Sequence, residues 1–267
     1  MTSARKTVEQ IREARSTLDI LFKQPGTVTV IHYSCEDFRM RNDGTTPRIT
    51  SIAICNLENG QSKSFSIHHA AEIKRLPICE IPNKYDELEL TMLDNFFRYV
   101  GQLQNSKWIH WNMRDSNFGF EAIEHRFRVL GGSPAVIPEA QRFDLPRLLS
   151  KIYGEKYIGD PKLKSLVTRN NLTNLDFIPG EDEPAMFAGG KYVQMHQSTL
   201  RKTVVIAEIA RRAWRQELKT DNKWWSAYGI SVKAWIETIY EHWVFKAVGI
   251  IIALFALYQI GRAIGVI

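Results

Sequence analysis

The chain is poor in cysteine. Cys35, Cys55 and Cys79 are the three among 267 residues, and no two form a C-x-x-C pair. An odd count without that spacing argues against a disulfide framework or a paired-cysteine zinc site. Reduced thiols fit a cytosolic setting. Glycine (16) and proline (10) are too few for a collagen-like repeat. No internal repeat or low-complexity segment is visible. Three catalytic signatures are missing: the phosphate-cradling GxxxxGK[ST], the G-x-S-x-G elbow and the H-E-x-x-H zinc helix. The N-terminus, with a charge every few residues, lacks the apolar core of a secretory signal.

What is present is ordinary globular material. Hydrophobic residues make up 44% and charged residues 24%, which suits a packed core. The length suits one domain with an appendage. A net charge of +6 permits contact with nucleic acid or an anionic membrane surface, and equally suits plain solubility.

Four regions differ in texture. Residues 1–24 read as an amphipathic leader helix with Ile11, Leu18, Leu21 and Phe22 as apolar positions. Residues 25–220 read as a mixed α/β domain. Within it, Thr27–Tyr33, Arg48–Asn56 and Gln61–Ile67 are strand-like, the last two joined across Asn59-Gly60 as a hairpin. Tyr85–Leu103 has helical apolar spacing, Lys107–Trp111 is a short strand, and Asn117–Leu130 is a helix ending at Gly131-Gly132. Helices follow at Leu145–Tyr153, Pro161–Arg169 and from about Lys191 to Lys219; Gly131–Pro138 and Ile178–Gly190 look like loops. Strands first and covering helices after them predict an α/β or α+β sandwich.

Residues 221–242 are aromatic and residues 243–267 almost wholly apolar. Ala247–Gly261 holds one polar residue, Gln259, and with its flanks the stretch reaches roughly 24 positions, long enough to span a bilayer. Lys246 and Arg262 would snorkel to opposite interfaces. Trp214, Trp224, Trp225, Trp235 and Trp243 crowd upstream, as a membrane interface favours. A buried core helix, an interfacial helix or an oligomerising helix are the alternatives. The apolar run predicts a C-terminal transmembrane helix, and the basic excess over Arg201–Lys219 puts the N-terminal domain that it anchors in the cytoplasm.

Three constellations could carry chemistry. Glu36 and Asp37 close the first strand, where paired acids can hold a hard cation; a solvated strand end is the plain alternative. Trp108-Ile109-His110-Trp111-Asn112-Met113-Arg114-Asp115 runs from a strand into a helix, a junction where α/β folds place sites, although Asn112 and Asp115 also suit a helix cap. On the last long helix, His196, Thr199 and Thr203 follow helical steps, and Arg201 and Lys202 are adjacent cations that could contact phosphate. An ordinary charged helix face is the alternative there.

These residues resemble the motifs of the DEDD 3′–5′ exonuclease superfamily over about residues 27–212. Ser34-Cys35-Glu36 is similar to the family's first motif, Asp-x-Glu. His110 to Phe120 is similar to the second, and His196 to the histidine of the third. Phe143 to Leu149 resembles the linker helix. The resemblance implies a ribonuclease H-like fold: a mixed sheet flanked by helices. It further implies metal-dependent phosphodiester hydrolysis, with Glu36 and Asp115 as ligands of Mg²⁺ or Mn²⁺ and His196 as general base or water-positioning group. Ser34 and Arg201, however, stand where two of the four expected carboxylates belong, and two-metal cleavage needs several carboxylates. Asp37 or the Glu181-Asp182-Glu183 cluster could supply replacement ligands. The alternative is a catalytically inactive pseudonuclease at the membrane, serving as a protein-interaction module or as a module that binds DNA, RNA or a nucleotide. Arg201, Lys202, Asn112 and Trp111 would be its nucleic-acid contacts, with Trp111 stacking on a base.

Overall fold

A computed structural model describes residues 3–37, 46–103, 105–114 and 118–222. The chain starts with helix α1 (Ser3–Lys23) and then lays down β1 (Val28–Cys35), β2 (Ile49–Asn56) and β3 (Ser62–Ser66). β-branched residues fill β1 and β2, as a buried pleated surface favours. The β2–β3 turn needs the left-handed backbone of Gly60 (φ +70°), so the Asn-Gly signal is borne out as an antiparallel hairpin.

Helices α2 (Ile67–Ile73) and α3 (Tyr85–Val100) come next, then β4 (Lys107–His110) and α4 (Phe120–Val129). The chain continues through β5 (Arg142–Asp144), α5 (Leu145–Tyr153), α6 (Lys162–Arg169), α7 (Glu183–Ala188) and α8 (Tyr192–Trp214). The expected apolar face of α3 is borne out: Leu88, Met92, Leu93, Phe96, Phe97 and Val100 are all buried.

Among the described residues the strands form one mixed sheet in the order β3-β2-β1-β4-β5. β1 pairs antiparallel with β2 and parallel with β4, and β4 pairs parallel with β5. Alternation along β1 sorts its side chains between two cores. Ile31, Tyr33 and Cys35 pack with α2, α3 and α4 on one face. Val28 and Val30 pack with α1, α5, α6 and α8 on the other. The result is an α/β fold with a mixed five-stranded sheet flanked by helices.

Several boundaries differ from the expectations. Ile67 starts α2 instead of ending a strand, and α7 occupies a stretch read as loop. Phe143 and Asp144 belong to β5; only from Leu145 is the chain helical. α4 starts at Phe120 and α8 stops at Trp214. The amphipathic α1 docks by its apolar side: Ala14, Leu18 and Leu21 are buried in the second core. Among the described residues no helix is long and apolar enough to cross a membrane. The expected anchor over 243–267, and all but the first two residues of the aromatic stretch 221–242, lie outside them.

Candidate functional site

The parallel strands β1, β4 and β5 end on the same side of the sheet, and a cleft of about 980 Å³ opens there. Crevices beyond the carboxyl ends of strands are the usual ligand positions of open α/β sheets. His32, Trp111 and Asn112 form the sheet side of the cleft. Pro146, Arg147 and Ser150 of α5 and Lys162 and Lys164 of α6 form the facing wall. Phe177 and Glu181 come from the approach to α7, Glu183 from its first turn and Lys202 from α8.

Strand alternation puts His32 and Ser34 on the face that α8 covers. Ser34 Oγ donates to Glu183 Oε1 at 3.1 Å and shares a 2.8 Å hydrogen bond with Thr199 Oγ1. Thr199 Oγ1 lies 2.7 Å from Ser51 Oγ on β2. Thr199 Oγ1 also has Met195 O as an acceptor at 2.8 Å, so its one proton serves either that carbonyl or Ser34. Lys202 stands nearly one helical turn beyond Thr199. Its ammonium donates to Glu183 Oε1 and lies 5.6 Å from the centre of the Phe177 ring. Lys202 is 3% exposed and Glu183 5%. A buried charge needs a partner of opposite sign, and each of these is the other's.

His32 borders this floor at 6% exposure, and its Nδ1 has no hydrogen-bond partner. Burial, helped by the Lys202 charge, holds its pKa well below the ordinary imidazole value. The ring is therefore neutral at pH 7.

A second cluster shapes the corner after β4. Asp144 Oδ1 accepts the Asn112 N–H at 3.0 Å. Its Oδ2 lies 2.8 Å from Arg114 Nε, close in distance but not aligned as a hydrogen bond. Asn112 takes the left-handed backbone (φ +55°), which asparagine tolerates better than most residues. His110 Nδ1 accepts the Met113 N–H at 3.1 Å. Burial first, then Arg114 and Arg142, push the His110 pKa down to about 3. Burial raises the Asp144 carboxyl, against the Asn112 amide and the arginines. Asp144 thus holds the backbone and the arginine at the cleft rim.

The structure brings together only some of the residues singled out in the sequence. Trp111, Asn112 and Lys202 line the cleft. Lys202 faces a buried carboxylate rather than solvent. Arg201 points elsewhere, its Nε donating to Leu175 O at 3.0 Å. His196 sits over β3, with Nε2 2.8 Å from Ser64 Oγ and its ring 5.0 Å from His68. Burial, then His68, push its pKa down to about 4. Glu36 lies past the end of β1, with an oxygen 3.5 Å from the Arg48 amide. Glu36, His196 and Arg201 are not among the described residues that line the cleft. Asp115 lies outside the described residues.

Among the described residues no group of three or more His, Cys, Asp or Glu side chains could hold a metal ion. The cleft floor offers one carboxylate, already neutralised by an ammonium, and uncharged hydroxyls. Mg²⁺ and Mn²⁺ take several oxygen ligands, and Asp115, one of the two expected, lies outside the described residues. In the sequence Glu183 reads only as a spare ligand and His32 only as part of the strand-end constellation with Glu36 and Asp37; Asp144 and Phe177 carry no site signal. No known protein family, curated protein or solved structure matches the chain.

Proposed function

We propose that the cleft binds a nucleotide or the end of a single-stranded nucleic acid without hydrolysing it, as a pseudonuclease of ribonuclease H-like fold. The observation that carries this is the buried Lys202–Glu183 pair, fixed by Ser34 and Thr199 between β1 and α8. The resemblance puts an anionic metal ligand at Ser34; here an ammonium neutralises the neighbouring carboxylate instead. Recognition would then need no divalent cation.

The rest of the cleft supports the choice of ligand. Cations and carboxylates are mixed in its lining: Arg147, Lys162 and Lys164 with Glu155, Asp160 and Glu181. A long polyanion prefers a wall of one sign. A mixed wall with Trp111, Phe118 and Phe177 beside it suits one or two phosphates, sugar hydroxyls and a stacked base. The volume also lies within the range of small-ligand sites, roughly 300–1,000 Å³. Three strands running antiparallel and two more joined parallel, between helical layers, support the ribonuclease H-like reading. The apolar run over 243–267 supports tethering of this domain to a membrane from the cytoplasmic side.

The test uses the full chain in detergent micelles with end-labelled single-stranded DNA and RNA. Binding is expected to persist in EDTA, to weaken with salt, and to leave the oligonucleotide intact. Trimming that requires Mn²⁺ and disappears in Glu36→Ala or Asp115→Ala would replace this reading with an active nuclease.

A further inference from the structure

We propose that Leu218–Asn222 is a coupling strap, through which the chain beyond residue 222 and the occupancy of the cleft influence each other. Its effect on ligand affinity rests on the cleft being the nucleotide site proposed above. After α8 the chain turns back across α6 and the α5–α6 connection. Lys219 and Asn170, just past α6, are joined twice: Asn170 Nδ2 donates to Lys219 O at 3.0 Å, and the Lys219 N–H donates to Asn170 Oδ1 at 2.9 Å. The Asp221 N–H donates to Tyr157 O at 2.8 Å, and its Oδ2 accepts the Gly159 N–H at 3.3 Å. Arg169 Nε is 3.6 Å from Asp221 Oδ1. Asn222 Nδ2 donates to Tyr153 O at 2.7 Å.

All of these bonds land on one stretch, Tyr153 to Asn170. That same stretch supplies Glu155, Asp160, Lys162 and Lys164 to the cleft wall. From Gly154 to Pro161 it has no helix or strand to stiffen it. Tyr157 and Ile158 pin it to the core on the inside, and the strap bonds its backbone at Tyr157 and Gly159. Irregular backbone with few regular bonds opens locally at low cost. Strap and wall therefore form one unit with two exits: the cleft, and the chain that continues towards the apolar run. A force or a rearrangement delivered at Asn222 reaches this mixed-charge wall without crossing the sheet. By linkage, a ligand that fixes the wall must also fix the strap.

Asp221, Asn222 and Asn170 are absent from the cleft lining, so their variants leave the ligand contacts in place. The experiment compares the full chain with Asp221→Ala/Asn222→Ala and with Asn170→Ala, all in detergent micelles. Two readouts are used: amide hydrogen exchange, and anisotropy of a labelled single-stranded oligonucleotide. The expected result is faster exchange over 155–165 and an affinity lower by about five- to tenfold, the lower part of the usual coupling range. Saturating the wild type with oligonucleotide should slow exchange at Lys219 and Asp221, which a purely structural contact would not do. Unchanged exchange over 155–165 in both variants overturns the proposal, as does faster exchange with unchanged affinity. Faster exchange in a chain whose wild type binds no oligonucleotide supports the strap and overturns the nucleotide reading, so the two failures are separable.

Discussion

Lys202 gives the cleft its chemical character at the scale of single residues. Its ammonium and the Glu183 carboxylate are both almost free of solvent, so each relies on the other for its charge. Removing one partner of such a pair costs about 3–5 kcal/mol, while removing both is far cheaper. Lys202→Met is therefore expected to lower the unfolding free energy by about 3–5 kcal/mol. Lys202→Met/Glu183→Gln should recover more than half of that loss. Urea unfolding followed by tryptophan fluorescence reads both, and a double variant as unstable as Lys202→Met would mean the charges are not coupled. The sequence was informative here in one direction only. Ser34 stood out only through the resemblance, which puts a carboxylate at that strand end. Lys202 could be recognised as a cation near the site, but not as one that is already neutralised. Its partner is 19 residues away, and only the docking of α7 beside β1 brings the two together. Asp144 escaped for a similar reason: its role is to hold Asn112 and Arg114, and both partners are about 30 residues earlier in the chain.

The elements were legible in proportion to their length and punctuation. α3 carries a full apolar face, α5 has Pro146 in its first turn and Gly154 (φ +91°) just past its end, and each was readable from its residues alone. β5 is three residues long and exists because β4 offers it a parallel partner, so nothing local announces it. α2 and α7, of seven and six residues, are too short to be stable by themselves; packing makes them. The end of α4 shows what a good signal looks like in atoms. Gly131 is left-handed (φ +88°), its N–H donates to Arg128 O at 2.9 Å, and the Gly132 N–H donates to Phe127 O at 2.9 Å. This is the paired closure by which helices satisfy their last carbonyls. Gly132 contributes something further, because a Cβ there would come within 2.2 Å of the buried Phe127 ring. Gly132→Ala is expected to cost about 1–3 kcal/mol by forcing that ring to move. Phe127→Leu/Gly132→Ala should cost less than the sum of the two single changes. Thermal unfolding of the three variants checks this, and strictly additive losses would remove the ring as the cause.

At the scale of the whole molecule, α8 holds the layers together. Its Thr199 meets β1 and β2 on the inside of the sheet, its Lys202 closes the cleft, and its His196 reaches β3 and the His68 ring of α2. A helix tied to three strands by polar contacts makes the fold sensitive to protonation. His196 has a pKa of about 4 in the folded chain against an ordinary 6.5, chiefly because it is partly buried. As pH falls below 6.5 the unfolded chain takes up this proton and the folded chain does not. The stability due to neutral His196 is thus fully present above pH 6.5 and is lost as pH falls towards 4. His32, His68 and His110 shift in the same direction. Glu89, Glu124 and Asp144, raised by burial, act with the opposite sign, so the total slope does not isolate one group. His196→Gln does, since every other group is common to both chains and the amide can still reach Ser64. Urea midpoints measured from pH 7 to 4 should show the wild type losing more stability than the variant. The gap should grow by at most about 1.4 kcal/mol per pH unit, the value for one fully linked proton, and level off below pH 4. Parallel profiles would mean that His196 takes up its proton equally in both states, and its packing against β3 and α2 would then not be what keeps this imidazole neutral.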